Sequence, residues 1–560
     1  MKRAIKILSI ILACFALLWL ALYIYFQWIL EPPIPKVNES AYQKFERKKL
    51  AENYYTLGNN FLRQNQYGLW EEYIEGSPFD RGVALGKLNK ELLYKQEEAF
   101  VDQIQNLIPN KKYLKFLSYF TRFFNRDLSK HFPLENQKEI YGESLYAPHE
   151  FNYIGAPFDR MLNYHAAHDI GHALQNFALV GCTSFSSWGN KVEDSTMIVG
   201  RNLDFSLGDK FAEDKIVLFV KPDSGYAFSI VTWAGFIGCV SGMNEQGITV
   251  TINAAKSDIP TKAKTPIAIV ARQILQYAKN IDEAFAIAKQ HETFVCETFM
   301  IGSAADKKTA LIEKSLTKTI LFKSDTNFIV CANHYQSNSF KNDKNNIENI
   351  QTSTSAYRQQ HTLELMDRNN IFSPQTVGNI LRNQKGLNEK NIGIGNEKAL
   401  NQLISHHAVI FKPEQRLMWV SANPYQLGAF VCYDLKKIFS DSTFRKTARL
   451  SLPEKTLASD TFLLSKDWQN FLTYKDLKQT FKQAERVNKK LENEREVIQR
   501  FLFSNPELWE TYAIVGKYFM AIKENDTALA YFEKSLKKDV ASKQEEFTLK
   551  ELIKKCQNKN

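Results

Sequence analysis

At 560 residues, 44% hydrophobic and 24% charged, the chain matches a globular protein with room for two or three domains and a large core. Its formal charge of +11 is spread without a long basic run, so nothing marks a nucleic-acid groove and no nucleic-acid partner is expected. The seven cysteines are widely and irregularly spaced, which excludes a CxxC zinc pair and a dense disulfide framework.

Lys2, Arg3 and Lys6 precede an uncharged stretch from Ile7 to Leu30, long enough to span a bilayer. Neither a short apolar core nor a small-residue cleavage site is evident, so it reads as an anchor and not as a cleavable signal. Cys14 follows "ILA" in the manner of a lipid-attachment site, but the apolar run continues past it. The positive residues predict a cytoplasmic N-terminus and an extracytoplasmic body after Pro32.

Residues 33 to 181 are expected to be mainly helical. "ESAYQKFERKKLAENYYTLGNNFL" and "RGVALGKLNKELLYKQEEAFVDQIQNLI" repeat apolar positions every three or four residues. Beyond Cys182 short β-rich runs take over, including "STMIVGRNLDF", "KIVLFVK", "YAFSIVTWAGFIGCV", "GITVTINAA", "TALIEKS", "KTILFKS" and "NFIVCANH". Thr265-Pro266 and Ser373-Pro374 are helix starts within this region, and 406 to 424 reads as a hairpin turning at Pro413-Glu414. Strands with helices grouped between them predict an α+β or layered architecture. From about 475 the chain turns helical and charged. Trp509, Tyr512, Gly516, Tyr518, Ala528, Tyr531 and Phe532 fall at the spacing of one tetratricopeptide-type repeat, either a helical cap or a partner-binding unit.

Cys182 leaves an apolar run, Phe177 to Val180, and enters the polar segment "TSFSSWGN". Downstream come Arg201, Asn202 and Asp204 in "GRNLDF", Asn253 at the end of "GMNEQGITVTIN", Asn333 in "CANHY", and Arg358 in "STSAYRQQ". Arg201 and Asn202 must face opposite ways on a strand. Taken singly, each asparagine also suits a turn.

In this order the motifs resemble the N-terminal-nucleophile (Ntn) hydrolases, in particular the acyl-CoA:6-aminopenicillanate acyltransferase group (peptidase family C45), cousin to the choloylglycine hydrolases and acid ceramidases. The resemblance runs from roughly 70 to 435, and "GSPFDRGVALGKLNKEL" looks like the opening of that family's pro-segment. It implies a four-layer αββα core and self-cleavage between Gly181 and Cys182. The thiol would attack the Gly181 carbonyl, where glycine tolerates strained backbone, and water would cleave the thioester. The freed α-amine, titrating at about 7.7–8.0, then serves as general base beside its own thiol. By position, Cys182 is the nucleophile, Asp204 orients the amine, and Arg201 favours the thiolate. Asn253 and Asn333 donate to the oxyanion, where one lost donor costs about 2.7–4 kcal/mol. Arg358 is the least constrained match, with a surface salt bridge as its alternative.

His165, His168 and His172 share a helix face beside Asp169. With no fourth ligand they read as a packed helix and not as a metal site. His406 and His407 would suit a Cys-His protease, but the resemblance assigns the base elsewhere. No phosphate loop or dinucleotide fingerprint appears, and no cofactor is expected. Cys239–Cys331 and Cys296–Cys432 bridges stay open.

The expectation is therefore a membrane anchor over 1–32, a helical pro-segment over 33–181, an Ntn core over 182–450 and a helical tail over 451–560. The expected activity is hydrolysis of linear N-acyl amides. An acyl-CoA-dependent acyltransferase is the second reading. The third is an inactive fold acting as a tethered scaffold, with a protein partner on the tail.

Overall fold

The structure is a computed structural model that describes residues 2–558 apart from 109, 175–179, 206–207, 259, 261, 405 and 447–448. The helix Lys2–Leu30 opens the chain, and its apolar side chains are exposed from Ile5 to Tyr25, while Leu30 at its end is buried. By length and composition it fits a membrane span or a signal sequence.

The next segment corrects the helical expectation for 33–181. Four strands, Lys48–Ala51, Tyr54–Leu57, Asn60–Gln64 and Trp70–Gly76, occupy part of it. Tyr54, Tyr55 and Thr56 favour extended backbone. Asn53 at φ 53° and Gly58 at φ 62° close the turns in the left-handed region that Asn and Gly tolerate. Strands broken at these turns mimic a helical apolar spacing. Helices follow, among them Pro78–Leu88, Leu134–Ser144 and Pro157–Leu174.

The N-terminal strands form one edge of an 11-stranded sheet. It continues through Ile216–Pro222, Phe228–Thr232, Ser241–Asn244, Ile248–Ala255, Cys296–Ser303, Lys308–Lys314 and Thr319–Lys323. A 6-stranded sheet runs in the order Phe328–Cys331, Val180–Trp188, Met197–Phe205, His406–Lys412, Leu417–Ser421, Phe430–Asp434. Neighbours are antiparallel except Trp70–Gly76 beside Ile216–Pro222, which run parallel.

The two sheets pack on each other. Val199, Val409, Phe411 and Met418 of the smaller sheet meet Phe219, Val231, Met300 and Leu311 of the larger. Alternate residues point away, as a strand requires. Ala408, Ile410 and Trp419 face Val377, Ile380 and Leu381 of the helix Pro374–Leu381. On the far side of the larger sheet, Ile230, Val250 and Ile252 cluster with Ile267, Val270 and Ile274 of the helix Ile267–Tyr277. That helix begins one residue after Pro266, and the helix after Ser373 and the 406–424 hairpin form where the sequence predicts them. The run Tyr226–Val240 gives a strand only over Phe228–Thr232, because Gly235 at φ 82° turns the chain. All seven cysteines are free, so neither bridge left open is formed.

Helices Pro78–Leu88 and Leu134–Ser144 touch backbone to backbone. A Cβ on Gly142 would lie 2.8 Å from the Phe79 carbonyl oxygen. Their contact is tied to the later chain by buried charges: Glu139 accepts from Arg81 at 2.7 Å and from Arg272 at 2.8 Å. At the other end, the helices Lys466–Val487, Glu494–Ser504, Trp509–Ala521, Asn525–Leu536 and Lys543–Gln557 enclose Phe481, Phe501, Tyr518 and Phe532. Leu403 and Leu427 join this cluster, so the helical region packs on the sheets' body.

Candidate active site

Cys182 sits on the strand Val180–Trp188, almost fully buried, opposite Leu203 of Met197–Phe205. The same pairing sets Gly181 opposite Asp204 and Ser184 opposite Arg201. One strand pair therefore assembles the thiol, the Gly181–Cys182 bond, the guanidinium and the carboxyl. As the alternation predicts, Arg201 and Asn202 diverge. Arg201 Nη2 lies 3.5 Å from Cys182 Sγ, whereas Asn202 Nδ2 donates to the carbonyls of Leu381 and Leu400 at 2.8 Å.

Asn333 and Arg358 close the other side. Cys182 N donates to Asn333 Oδ1 at 3.0 Å, and Arg358 Nη2 donates to the same oxygen at 2.6 Å. Arg358 Nη1 donates to the Cys182 carbonyl at 2.6 Å and to Thr183 Oγ1 at 2.7 Å. Arg358 is buried, which replaces the surface salt-bridge alternative. With two donors on its oxygen, Asn333 holds the Cys182 nitrogen here and does not act as a donor toward it. Its Nδ2 donates to the Ala254 carbonyl at 2.9 Å. Asn253 Nδ2 donates to the Cys331 carbonyl at 3.1 Å, and its oxygen accepts from Ser184. In each amide one Nδ2 hydrogen is engaged and one is left for a further acceptor.

The electrostatics of the uncleaved chain run against a thiolate. Burial pushes the Cys182 thiol up, and the pull of Arg201 only partly offsets it; Glu297 and Asp204 raise it further. Asp204 is itself pushed up to about 8 by burial, with Arg358 and Arg201 pulling the other way. Neither of its carboxyl oxygens has a hydrogen-bond partner among the described residues. A buried carboxyl left like this costs free energy until a cation reaches it.

Gly181 departs from the strain expectation. It lies in a regular strand without positive φ. An added Cβ there would come within 2.8 Å of Gln402 Nε2, the end of a side chain that can shift. Gln402 was not singled out from sequence, and neither were Glu297 and Ser241. Glu297 is buried on Cys296–Ser303 and held well above the usual carboxylate range by burial and by nearby Asp169. That strand is visible only as the unremarked alternation of "CETFMIGS". Ser241 accepts a hydrogen bond from Arg201 Nη1.

The histidines fall away from the thiol. His407 Nε2 is 2.9 Å from Ser241 Oγ, and His406 Nδ1 is 2.8 Å from His407 Nδ1. Among the described residues they connect to Cys182 through Ser241 and Arg201, which does not fit the Cys-His protease alternative. His165 uses both ring nitrogens, Nδ1 donating to the Met161 carbonyl and Nε2 accepting from Ile237 N. The side chains of His168 and His172, like residues 177–179 of the apolar run, lie outside the described residues. Among the described residues no group of three or more His, Cys, Asp or Glu is arranged to hold a metal.

Residues 191–422 match the family model of acyl-coenzyme A:6-aminopenicillanic acid acyl-transferase, a segment holding Arg201, Asp204, Asn253, Asn333 and Arg358 and beginning downstream of Cys182. Two curated proteins of Dictyostelium discoideum are similar. Protein dcd1B is 24% identical over 179 residues, 31% of this chain and 34% of that protein. Protein dcd1A is 22% identical over 283 residues, 46% of this chain and 60% of that protein, so this chain spans only part of either relative. Among solved structures, the Caenorhabditis elegans N-acylethanolamine-hydrolyzing acid amidase ortholog has 16% identity and a TM-score of 0.29, covering 42% of this chain and 93% of its own. A mutant conjugated bile acid hydrolase from Clostridium perfringens has 13% identity and a TM-score of 0.31, over 46% and 93%. By the match over 191–422, this segment is similar to the acyl-coenzyme A:6-aminopenicillanic acid acyl-transferase family.

Proposed function

We propose that the chain is an Ntn amidohydrolase that matures by breaking its own Gly181–Cys182 bond and then cleaves linear N-acyl amides through a cysteinyl thioester. The observation that carries this is Asp204: a buried, unpartnered carboxyl paired in register with Gly181, where cleavage would release an ammonium group.

In the first step Sγ of Cys182 bonds to the Gly181 carbonyl carbon as the C–N bond breaks, the thiol proton passes to the leaving Cys182 nitrogen, and water hydrolyses the resulting thioester to a Gly181 carboxyl and the thiol. The product is a free Cys182 amine held by Asn333 Oδ1 and facing Asp204. That amine takes the thiol proton when a substrate amide arrives. The sulfur attacks the carbonyl carbon, and the proton passes to the leaving amine. Arg201, 3.5 Å from the sulfur, stabilises the anion. The free Nδ2 hydrogens of Asn253 and Asn333 are the donors available for the oxyanion. Water returns the enzyme from the acyl thioester.

We read the architecture as four αββα layers, with 1–32 as a single-pass anchor, 33–181 as pro-segment, 182–450 as catalytic core and 451–560 as a tail with one tetratricopeptide-like repeat. The exposed apolar helix at the N-terminus supports the anchor, and the Lys2, Arg3 and Lys6 cluster supports an extracytoplasmic body. The matched family's description favours a second reading, transfer of the acyl group to an added amine.

Intact-protein mass spectrometry tests maturation: two fragments meeting at Gly181 and Cys182 are expected, and one unbroken, fully active chain would overturn it. An N-acyl amide panel, with and without an acceptor amine, separates hydrolysis from transfer. Full biological effect from a Cys182→Ala chain would favour the scaffold.

A further inference from the structure

The helix Lys111–Phe124, "KKYLKFLSYFTRFF", is not used by this chemistry. Tyr113, Phe116, Phe120 and Phe123 recur at steps of three or four residues and so share one face. They are 52%, 54%, 59% and 43% exposed. Four large aromatics on one helix face are not left in water by chance in a protein with so large a core. On adjoining faces lie Lys111, Lys112 and Lys115, all exposed and outside the ion pairs of the described residues. Aromatic side chains beside lysines are the composition of a helix lying in the plane of a membrane interface.

Position adds an independent argument. Phe26, near the C-terminal end of the apolar helix Ile5–Leu30, stacks on Phe123 at 6.1 Å and packs on Tyr119 at 6.4 Å. A spanning helix reaches the headgroup level near that end, so the aromatic face is held where headgroups begin. The helix is also coupled to the catalytic body. Arg122 pairs with Asp159, and Asn125 Nδ2 donates to Asn163 Oδ1 at 2.6 Å. Both partners belong to the helix Pro157–Leu174, the last described helix before Cys182.

We propose that Lys111–Phe124 is a second membrane contact: it lies in the interface of an anionic bilayer, aromatic face in the acyl region and lysines at the phosphates, and docks the body against the membrane that its N-terminal helix enters. This rests on the membrane reading of that helix. The occupant is lipid, because the face continues from an apolar helix and carries cationic flanks that complement anionic headgroups.

The test reconstitutes the full chain into vesicles of phosphatidylcholine with phosphatidylglycerol, with photoreactive p-benzoylphenylalanine at Phe120, at Trp19, or at Leu464. Lipid adducts are read by mass spectrometry. Trp19 reports the span and the highly exposed Leu464 gives the aqueous background. A lipid adduct at position 120 within a few-fold of that at Trp19 is expected. Background labelling at 120, or a crosslink to a second protein chain in place of lipid, overturns the proposal. Background labelling at Trp19 overturns the span instead, and the yield at 120 still decides the docking. As a second variant, Phe116→Ser with Phe120→Ser should cut lipid labelling from p-benzoylphenylalanine at Tyr113 to background. Unchanged labelling there also overturns it.

Discussion

Asp204 allows the chemistry to be measured without a substrate. In a Cys182→Ala chain cleavage cannot occur, and the carboxyl stays buried with no partner among the described residues. Between its ordinary value of 3.8 and about 8, the folded chain keeps a proton that the unfolded chain has lost. Stability therefore falls as pH rises across that window and levels off above it. At about 1.4 kcal/mol per pH unit, Asp204 alone removes about 2 kcal/mol between about pH 6 and pH 7.5, and at most about 6 kcal/mol over the whole window. Adding Asp204→Asn removes this titration, while other buried acids such as Glu143, also pushed up to about 8, titrate in both chains and cancel. Urea unfolding of the two chains in detergent, followed by tryptophan fluorescence over a pH series, reads the difference. The Asn chain should gain on the Asp chain steadily as pH rises. Parallel curves would refute the assignment of Asp204 as a carboxyl awaiting a cation.

Gly181→Ala should fold and still give two fragments by intact mass, because the new methyl meets only the end of the Gln402 side chain, which can shift; an unbroken chain would show that the position needs glycine. Arg358→Lys keeps the charge but loses the fork that reaches the Cys182 carbonyl, Thr183 and Asn333. A loss of about 10²-fold in kcat on an N-acyl amide is expected, and an unchanged kcat would sink that role. Glu139→Ala leaves Arg81 and Arg272 buried without their shared carboxylate, and should cost about 3–5 kcal/mol in urea unfolding. After cleavage the two fragments should co-elute in size-exclusion chromatography without denaturant, since Trp70–Gly76 stays in the sheet beside Ile216–Pro222; separate elution would contradict the pairing.

The residues of the candidate site were legible because they lie in ordered motifs on strands whose alternation is readable. "GRNLDF" places Arg201 and Asn202 on opposite sides, and the hydrogen bonds agree. What was not legible depended on contacts between distant segments. Gln402 meets Gly181 because the strand Met197–Phe205 pairs with both Val180–Trp188 and His406–Lys412, and no spacing connects 181 with 402. Glu297 sits on a strand that its own sequence scarcely advertises. The strands from 48 to 76 were hidden because two left-handed turns reset the alternation every few residues, leaving an apolar pattern that a helix would also produce.

On the proposed maturation, these contacts would leave Cys182 inert in the uncleaved chain and reactive in its product. Before cleavage the Cys182 nitrogen is an amide that donates to Asn333 and can accept no proton. Burial pushes the thiol up, and burial outweighs the pull of Arg358 and Arg201 so that Asp204 keeps its own proton. Breaking one peptide bond turns that amide into an amine at the same place in the strand pair. On that proposal the amine is the base that the sulfur lacks, and only after it has taken the thiol proton does its positive charge stand beside the carboxyl. The strain is thus electrostatic, not conformational. On the proposed maturation it lies in the buried Asp204 carboxyl, with no hydrogen-bond partner among the described residues, and not in the backbone of a regular strand.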